Sequence, residues 1–397
     1  MVKWPKGKVT IGDEKLYDYI KGKKVALMMN TTAVDNNGKF IMDTIFEEKI
    51  ADIAFFFSME HGVRGNFQPG HTDTTDYDIK TGVKAFNLYN HPGRIPPVEM
   101  LKDVDMAVFC AQDIGLRHWT FTTWLFTLVS SCAEAGTEVV ILDQPNPLRG
   151  DIVEGEISQK YIGESFVTGF NGFAYPLRHG MTVGEIANMY NEQRNVGAKI
   201  TVIKMDGWKR DMWYDDTGLL WMPPTPNMPT AFNAINYATV GLLQGADISL
   251  GRNTTTPYQY VGAEHFDGSA LAGELNSRDL PGVFFMQRYY EALTGPFVAD
   301  DLTTGRQNRL CDGVMFYIFD KDSFSPTYTQ LHIFDALIKL YHGSIDFESD
   351  PWHARNRTCN DDLLDLAKEG KSVLPLIDKW KASSEEFKKL REKYLLY

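Results

Sequence analysis

The chain has 397 residues, with 43% hydrophobic and 23% charged side chains, an ordinary globular balance that excludes disordered, collagenous and disulfide-scaffold classes. A chain of this length buries about three-quarters of its extended surface, enough for two domains without staples. Forty basic against fifty-two acidic residues give a net charge of -12, which disfavours binding nucleic acid or an anionic membrane over a broad face but leaves room for a local basic pocket.

From the N-terminus, the first segment MVKWPKGKVTIGDEK lacks the apolar h-region of a signal peptide. Both a cytosolic location and an extracytoplasmic one after loss of a leader are compatible with it. Lys24–Met29, Asp52–Phe57, Asp105–Cys110 and Glu138–Leu142 are short continuous apolar runs. Helical patterns over Phe40–Glu48, Pro97–Lys102 and Trp119–Ala135 alternate with them, the last stopped by Gly136. Apolar strands separated by helices predict a parallel sheet covered on both faces, a Rossmann-like domain over residues 1–160. A less regular second half follows over 161–397. Its pattern predicts a helix over Gly184–Gln193, a strand over Ala198–Lys204, a rigid extended loop at Pro223–Pro229 and a helix over 231–246. The charged run Ser384–Lys393 is expected to be a solvated helix face. No apolar stretch reaches the ~18 residues needed to span a bilayer.

Cys110, Cys132, Cys311 and Cys359 form no CxxC pair and no zinc spacing; Cys110 and Cys132 read as core residues. There is no GxGxxG after the first strand, no GxxxxGK[ST], no GxSxG and no HExxH. Neither a metal nor a nucleotide cofactor is therefore expected, and an oxidoreductase has only the sheet in its favour.

In open parallel sheets, ligands lie beyond the carboxyl ends of the strands. The first run delivers Asn30-Thr31-Thr32 there, and the second Glu60-His61-Gly62-Val63-Arg64-Gly65. The third delivers Gln112-Asp113 through Arg117-His118, and the fourth Asp143-Gln144-Pro145-Asn146. Such loops are polar by default, since they cap helices. Even so, Glu60, Asp113 and Asp143 beside His61 make up the two-carboxylate kit for cleaving a glycosidic bond, with Glu60 and Asp113 expected beyond adjacent strands. Arg64, Arg117, Arg178 and Arg252 are candidates to grip an anionic group. Trp119, Phe121, Trp124, Tyr175, Trp208, Trp213, Trp221 and Tyr258 lie near these loops in sequence; each could stack on a sugar or simply pack in a core.

Several ordered blocks carry a resemblance to a known family. They are EHGVRG at Glu60–Gly65, QDIGLR at Gln112–Arg117, LDQPNP at Leu142–Pro147, RHGMT at Arg178–Thr182, TPNMPT at Thr225–Thr230 and SLGRNTTTP at Ser249–Pro257. Together they resemble the NamZ-type exo-β-N-acetylmuramidases over about residues 25–265. The resemblance implies a Rossmann-like domain followed by a smaller α+β domain with the active-site cleft between them, no nucleotide, and removal of N-acetylmuramic acid from the non-reducing end of peptidoglycan fragments. It implies Glu60 as catalytic acid; the loop residues then make Asp113, as base or transition-state stabiliser, and His61 the expected rest of the catalytic set. The expected substrate-binding residues are Arg64, Gln112, Arg117, Asp143, Asn146, Arg178, His179, Asn227, Arg252 and Thr254. The chain departs from the family pattern at Gln144, usually Arg, at Asn253, usually Gly, and at Gln244 and Gln259, usually Glu. Those departures motivate an alternative, a non-catalytic glycan-binding protein on the same fold.

Overall fold

The computed structural model describes residues 7–65, 77–89, 94–157, 173–292, 309–359 and 361–397. The domain boundary expected near residue 160 lies outside them. The chain forms two compact units. The first runs to Ile152, resumes over His179–Ala231 and closes with Lys389–Tyr397; the second comprises Val153–Arg178 and Phe232–Lys388.

Among the described residues, the first unit is built on a six-stranded sheet. Its strands are β1 (Lys24–Met29), β2 (Asp52–Ser58), β3 (Ala85–Asn87), β4 (Met106–Cys110), β5 (Glu138–Leu142) and β6 (Ile200–Ile203). They lie in the order β3-β2-β1-β4-β5-β6 and every pairing is parallel. This is the doubly wound dinucleotide-fold order, with its switch point between β1 and β4. The apolar runs become strands because both faces are covered: β4 and β5 are buried throughout, and β1 in all but Lys24. Leu27, Met29, Phe56, Val108, Val140 and Leu142 meet in one cluster with Leu16 and Ile20 of helix α1 (Asp13–Ile20) and Ile41, Met42 and Ile45 of α2 (Ile41–Glu47). The segment Ala198–Lys204 contributes β6, pairing with β5 from Val139↔Ile200 to Leu142↔Ile203.

Helix α3 is short (Val98–Leu101), and α4 (Phe121–Ala135) is buried along most of its length and ends at Gly136, φ 75°. Helix α5 (Val183–Gln193) starts with a capping box: the Thr182 side chain accepts from the Glu185 N–H, and the Glu185 carboxylate accepts from the Thr182 N–H. All four cysteines are buried, and none is in a disulfide among the described residues.

Among the described residues, the second unit carries a three-stranded antiparallel sheet in the order β7-β9-β8: β7 (Tyr260–Ala263), β8 (Val283–Ala292) and β9 (Arg309–Ile318). Val261, Phe285, Val314 and Phe316 are buried, as are Leu271 and Leu275 of helix Gly268–Asn276 and Leu331 and Phe334 of helix Pro326–Tyr341.

The charged run Ser384–Lys393 is not the wholly solvated face that its composition suggests. Ser384, Phe387 and Arg391 are buried along one stripe of helix Leu376–Arg391. Arg391 donates to the carbonyls of Gly150 (2.9 Å), His179 (3.1 Å) and Gly180. Helical spacing turns every third or fourth residue of even a charged run inward, and here a guanidinium satisfies loop carbonyls. No helix among the described residues is long and apolar enough to cross a membrane.

Candidate active site at the carboxyl edge of the parallel sheet

The switch point is held together by side chains from the strand ends. Thr32, beyond β1, donates its hydroxyl to Asn30 Oδ1 (2.6 Å) and accepts from the Gln112 N–H (2.9 Å) beyond β4. Gln112 Nε2 in turn donates to the carbonyls of Asp113 (2.7 Å) and Pro145 (2.8 Å), reaching the loop beyond β5. Three loops are thereby fixed around the crevice position that the topology predicts.

Beyond β2 the chain reverses sharply. His61, Gly62 and Gly65 all have positive φ (70°, 81° and 63°), and His61 is buried. A Cβ on Gly65 would lie 2.4 Å from Thr31 Oγ1, so glycine is required both for the turn and for its approach to the β1 loop. This turn presents Glu60, half-buried, whose Oε2 accepts a hydrogen bond from Thr120 Oγ1 at 3.1 Å. Thr120 is the N-cap of α4, so the carboxylate lies at the positive end of a helix dipole.

The expectation that Glu60 and Asp113 follow adjacent strands is corrected by the sheet order, in which β1 lies between β2 and β4. Two strand spacings separate their strand ends, about 10 Å. The chain passes from Asp113 to Thr120 in one loop, and it is Thr120 that meets Glu60.

Asp113 is buried. Its Oδ1 accepts from the Gly115 N–H at 2.6 Å and faces His179 Nε2 at 3.8 Å. Its Oδ2 is buried with no hydrogen-bond partner among the described residues. His179 Nδ1 accepts from the Met181 N–H at 3.2 Å, which assigns the proton of the neutral ring to Nε2, the nitrogen facing Asp113. Gly115, φ 78°, allows the loop to reach Asn146: a Cβ there would lie 2.3 Å from Asn146 Oδ1. Asn146 itself ties backbone together, accepting from the Leu148 N–H (2.9 Å) and donating to the Met181 carbonyl (3.0 Å).

The remaining expected residues divide by environment. Asp143 is fully buried, its oxygens taken by the Gly184 N–H (2.9 Å) and the Tyr397 hydroxyl (2.8 Å). Burial, reinforced by Glu185, pushes its carboxyl up to about 7. Arg64 makes a two-pronged pair with Asp78 (2.6 Å from Nε and 2.6 Å from Nη2) and a third bond to Asp43 at 2.9 Å. Arg178 is completely buried, 3.4 Å from Glu154 in the second unit. Arg117 and Asn227 are buried within the first unit. Arg252 and Thr254 belong to the second, where Thr254 Oγ1 donates to the Gly251 carbonyl at 2.7 Å.

Gln144 donates weakly to Cys110 Sγ at 3.4 Å. With Thr32, Asp13, Asp35 and Asn36 it lines a cavity of about 270 Å³ that includes neither Glu60 nor Asp113. Of the aromatic residues near the loops, Trp124, Tyr175, Phe121, Trp208, Trp213 and Tyr258 are buried. Among the described residues, no group of three or more His, Cys, Asp or Glu side chains is placed to hold a metal ion. The role of Thr120 is missed by reading the sequence, which places it inside a helix beginning at Trp119, whereas the helix begins at Phe121 with Thr120 as its N-cap. Asn30 and Thr32 stand in plain view after the first strand.

Two family models match consecutive parts of the chain: the N-terminal domain of exo-β-N-acetylmuramidase NamZ over residues 25–232 and its C-terminal domain over 235–397. The chain is 35% identical over 396 residues to the peptidoglycan β-N-acetylmuramidase NamZ of Bacillus subtilis (strain 168), covering 99% of this chain and 92% of that protein. Among solved structures it resembles two DUF1343 family proteins of Bacteroides fragilis NCTC 9343. One has TM-score 0.80 and 29% identity, over 99% of this chain and 100% of that one. The other has TM-score 0.74 and 28% identity, over 98% and 99%. With both domain models matched in order and a curated relative aligned along nearly its whole length, the chain belongs to the exo-β-N-acetylmuramidase NamZ family.

Proposed function

We infer that this protein is an exo-acting glycoside hydrolase that releases N-acetylmuramic acid from the non-reducing end of peptidoglycan fragments, in cell-wall turnover and recycling. Family membership carries the reaction and substrate class. The pair of carboxylates at the carboxyl edge supports the assignment of roles. Glu60 is our proton donor to the leaving oxygen, its orientation set by the Thr120 hydroxyl. Asp113 is the second carboxylate. The Gly115 N–H holds one of its oxygens, with His179 Nε2 3.8 Å from it, and the other, Oδ2, is buried with no partner among the described residues, so we assign Asp113 to electrostatic stabilisation of the transition state rather than to activating water. His61, which follows Glu60 in the reversed turn, is assigned to the same catalytic set. Gln112, Arg117, Asn146, His179, Asn227, Arg178, Arg252 and Thr254 are proposed to bind or frame the sugar. Arg64 and Asp143 serve this site by fixing the loops around it, since their polar groups are bound to protein.

The test is release of N-acetylmuramic acid from a MurNAc-GlcNAc disaccharide. Wild type should turn over, and Glu60→Gln should lose about 10²–10⁴ in rate. Full release by that variant would remove Glu60 from its role. Tight binding without turnover by wild type would favour the glycan-binding alternative.

A further inference from the structure

The cavity beyond β1 in the first unit holds two acids that meet only neutral donors. Asp13 and Asp35 both line it, and both are buried, at 2% and 6% exposure. Asp13 Oδ1 accepts from Asn36 Nδ2, and its Oδ2 from the Asn36 N–H at 2.9 Å. Asp35 Oδ1 accepts from the N–H groups of Asn37 (2.8 Å) and Lys39 (2.9 Å), and its Oδ2 from the Thr44 hydroxyl (3.0 Å). Among the described residues neither carboxylate forms an ion pair. Lys15, on the same wall, pairs with Asp206 at 2.7 Å, and both of those side chains are more than half exposed. Glu14 adds a further carboxylate to the lining. Helix α1 begins at Asp13, and its dipole eases a charge there, by less than burial of an unpaired carboxylate opposes it.

Burial raises the Asp13 carboxyl above its usual range, against hydrogen bonds from the Asn36 and Glu14 backbone, and Asp35 adds repulsion. A buried acid in that position either keeps a proton or gains a cation. An independent feature of the cavity favours the cation. Gln144 also lines it and is 5% exposed. Its Nε2 donates weakly to Cys110 Sγ at 3.4 Å, whereas its Oε1 accepts no hydrogen bond from the described residues. A buried amide oxygen is stable only with a donor, and here the donor has to come from within the cavity. The volume, about 270 Å³, equals the liquid share of about nine water molecules. That is the scale of a small organic molecule rather than of a bare ion. Among the described residues, no group of three or more His, Cys, Asp or Glu side chains is placed to hold a metal.

We propose that this cavity binds a small organic cation through a primary ammonium group, which donates to Gln144 Oε1 and is held by the Asp13 and Asp35 carboxylates. An ammonium carries three N–H donors, and each ionised carboxylate has more lone pairs than the protein donors occupy. Charge-assisted bonds to it are stronger than those the neutral donors supply. Ile11, Val34, Leu219 and Leu220 give the rest of the molecule an apolar wall. Neither Glu60 nor Asp113 lines the cavity, so the site stands apart from the muramidase reading.

A ligand-observed NMR titration of the full-length protein with benzylammonium, at neutral pH and physiological ionic strength, tests this. Benzyl alcohol, the neutral molecule of the same shape, is the control. Wild type should bind the ammonium saturably and at least about tenfold more tightly than the alcohol. Gln144→Leu, which removes the amide oxygen, should weaken the ammonium about tenfold, as expected for one lost hydrogen bond to a charged group. Gln144→Arg, which brings the chain's own guanidinium to the cavity, should abolish binding. Far-ultraviolet circular dichroism verifies that each variant is folded. The Glu60→Gln variant should bind like wild type, so failure of the catalytic assignment is distinguishable from failure here. Equal affinity for alcohol and ammonium, or unchanged ammonium affinity in a folded Gln144→Arg or Gln144→Leu protein, overturns the proposal. So does displacement of benzylammonium by an equal concentration of potassium, which would assign the acids to an inorganic ion.

Discussion

Replacing Asp143 with asparagine should change how stability depends on pH, with a sign and size set by the burial of that side chain. Asp143 is fully enclosed, and burial, with Glu185 adding repulsion, raises its carboxyl from the ordinary 3.8 to about 7. Between those two values the folded chain keeps a proton that the unfolded chain has lost. Stability therefore falls as pH rises across that window and levels off above about 7. At 1.36 kcal/mol per pH unit, the loss between pH 5 and 8 is about 3 kcal/mol, about a hundredfold in the folding equilibrium. Asparagine fits the same site: its Oδ1 accepts from the Gly184 N–H, and its amide nitrogen donates to the Tyr397 hydroxyl, which turns from donor to acceptor. The assay is denaturant unfolding of both proteins at pH 5, 6, 7 and 8. Every other group titrates in both, so the difference isolates this one. Asp143→Asn should gain on wild type by about 3 kcal/mol from pH 5 to pH 8. A difference that is flat with pH, or one that moves against the variant as pH rises, would refute the account of a neutral, buried Asp143.

Three other outcomes follow from the site. Thr120→Val should lower kcat on the disaccharide about tenfold with KM within about twofold, because it removes one hydrogen bond that orients Glu60; Thr120→Ser should restore the rate, and a Ser variant as slow as Val would deny the hydroxyl this role. Arg64→Met should cost about 3 kcal/mol at neutral pH by leaving the buried Asp78 carboxylate without its cation, while Asp43 keeps its pair with Lys80. Although burial works to raise the Asp78 carboxyl, its bonds to Arg64 and Thr81 hold it at about 2. The contribution of that pair is present above the ordinary carboxylate range and is lost as pH falls toward 2, so the Arg64→Met deficit measured by unfolding should shrink in acid. Gly65→Ala should reduce turnover by driving a Cβ into Thr31 Oγ1 and displacing the turn that presents Glu60. Adding Thr31→Ala should recover part of it, leaving the ~1–2 kcal/mol cost of positive φ on alanine, and a double variant no better than the single one would assign the whole effect to backbone strain.

Local patterning is enough to read four strands of the parallel sheet, because an unbroken apolar run such as Glu138–Leu142 has no stable place except between two covered faces. The same rule brings Glu60 and Asp113 to one edge, since parallel strands all deliver their carboxyl ends to the same side. Which strand lies next to which is not written in any run: β1 intervenes between β2 and β4 through pairings that only the assembled sheet selects. The strand Val283–Ala292 alternates polar with apolar residues and gives a weaker signal than the buried runs. Nor does a sequence show where a charge ends up. Arg64 is bound to Asp43 and Asp78, 21 and 14 residues away, and Asp143 is closed off by Tyr397, 254 residues away. Arg357 lies within hydrogen-bonding distance of Tyr237, 120 residues away. Burial of a continuous apolar run can be read locally, whereas the burial of a polar residue such as Arg391 and the partner of an ionised side chain are set by three-dimensional proximity, and these the tertiary structure alone decides.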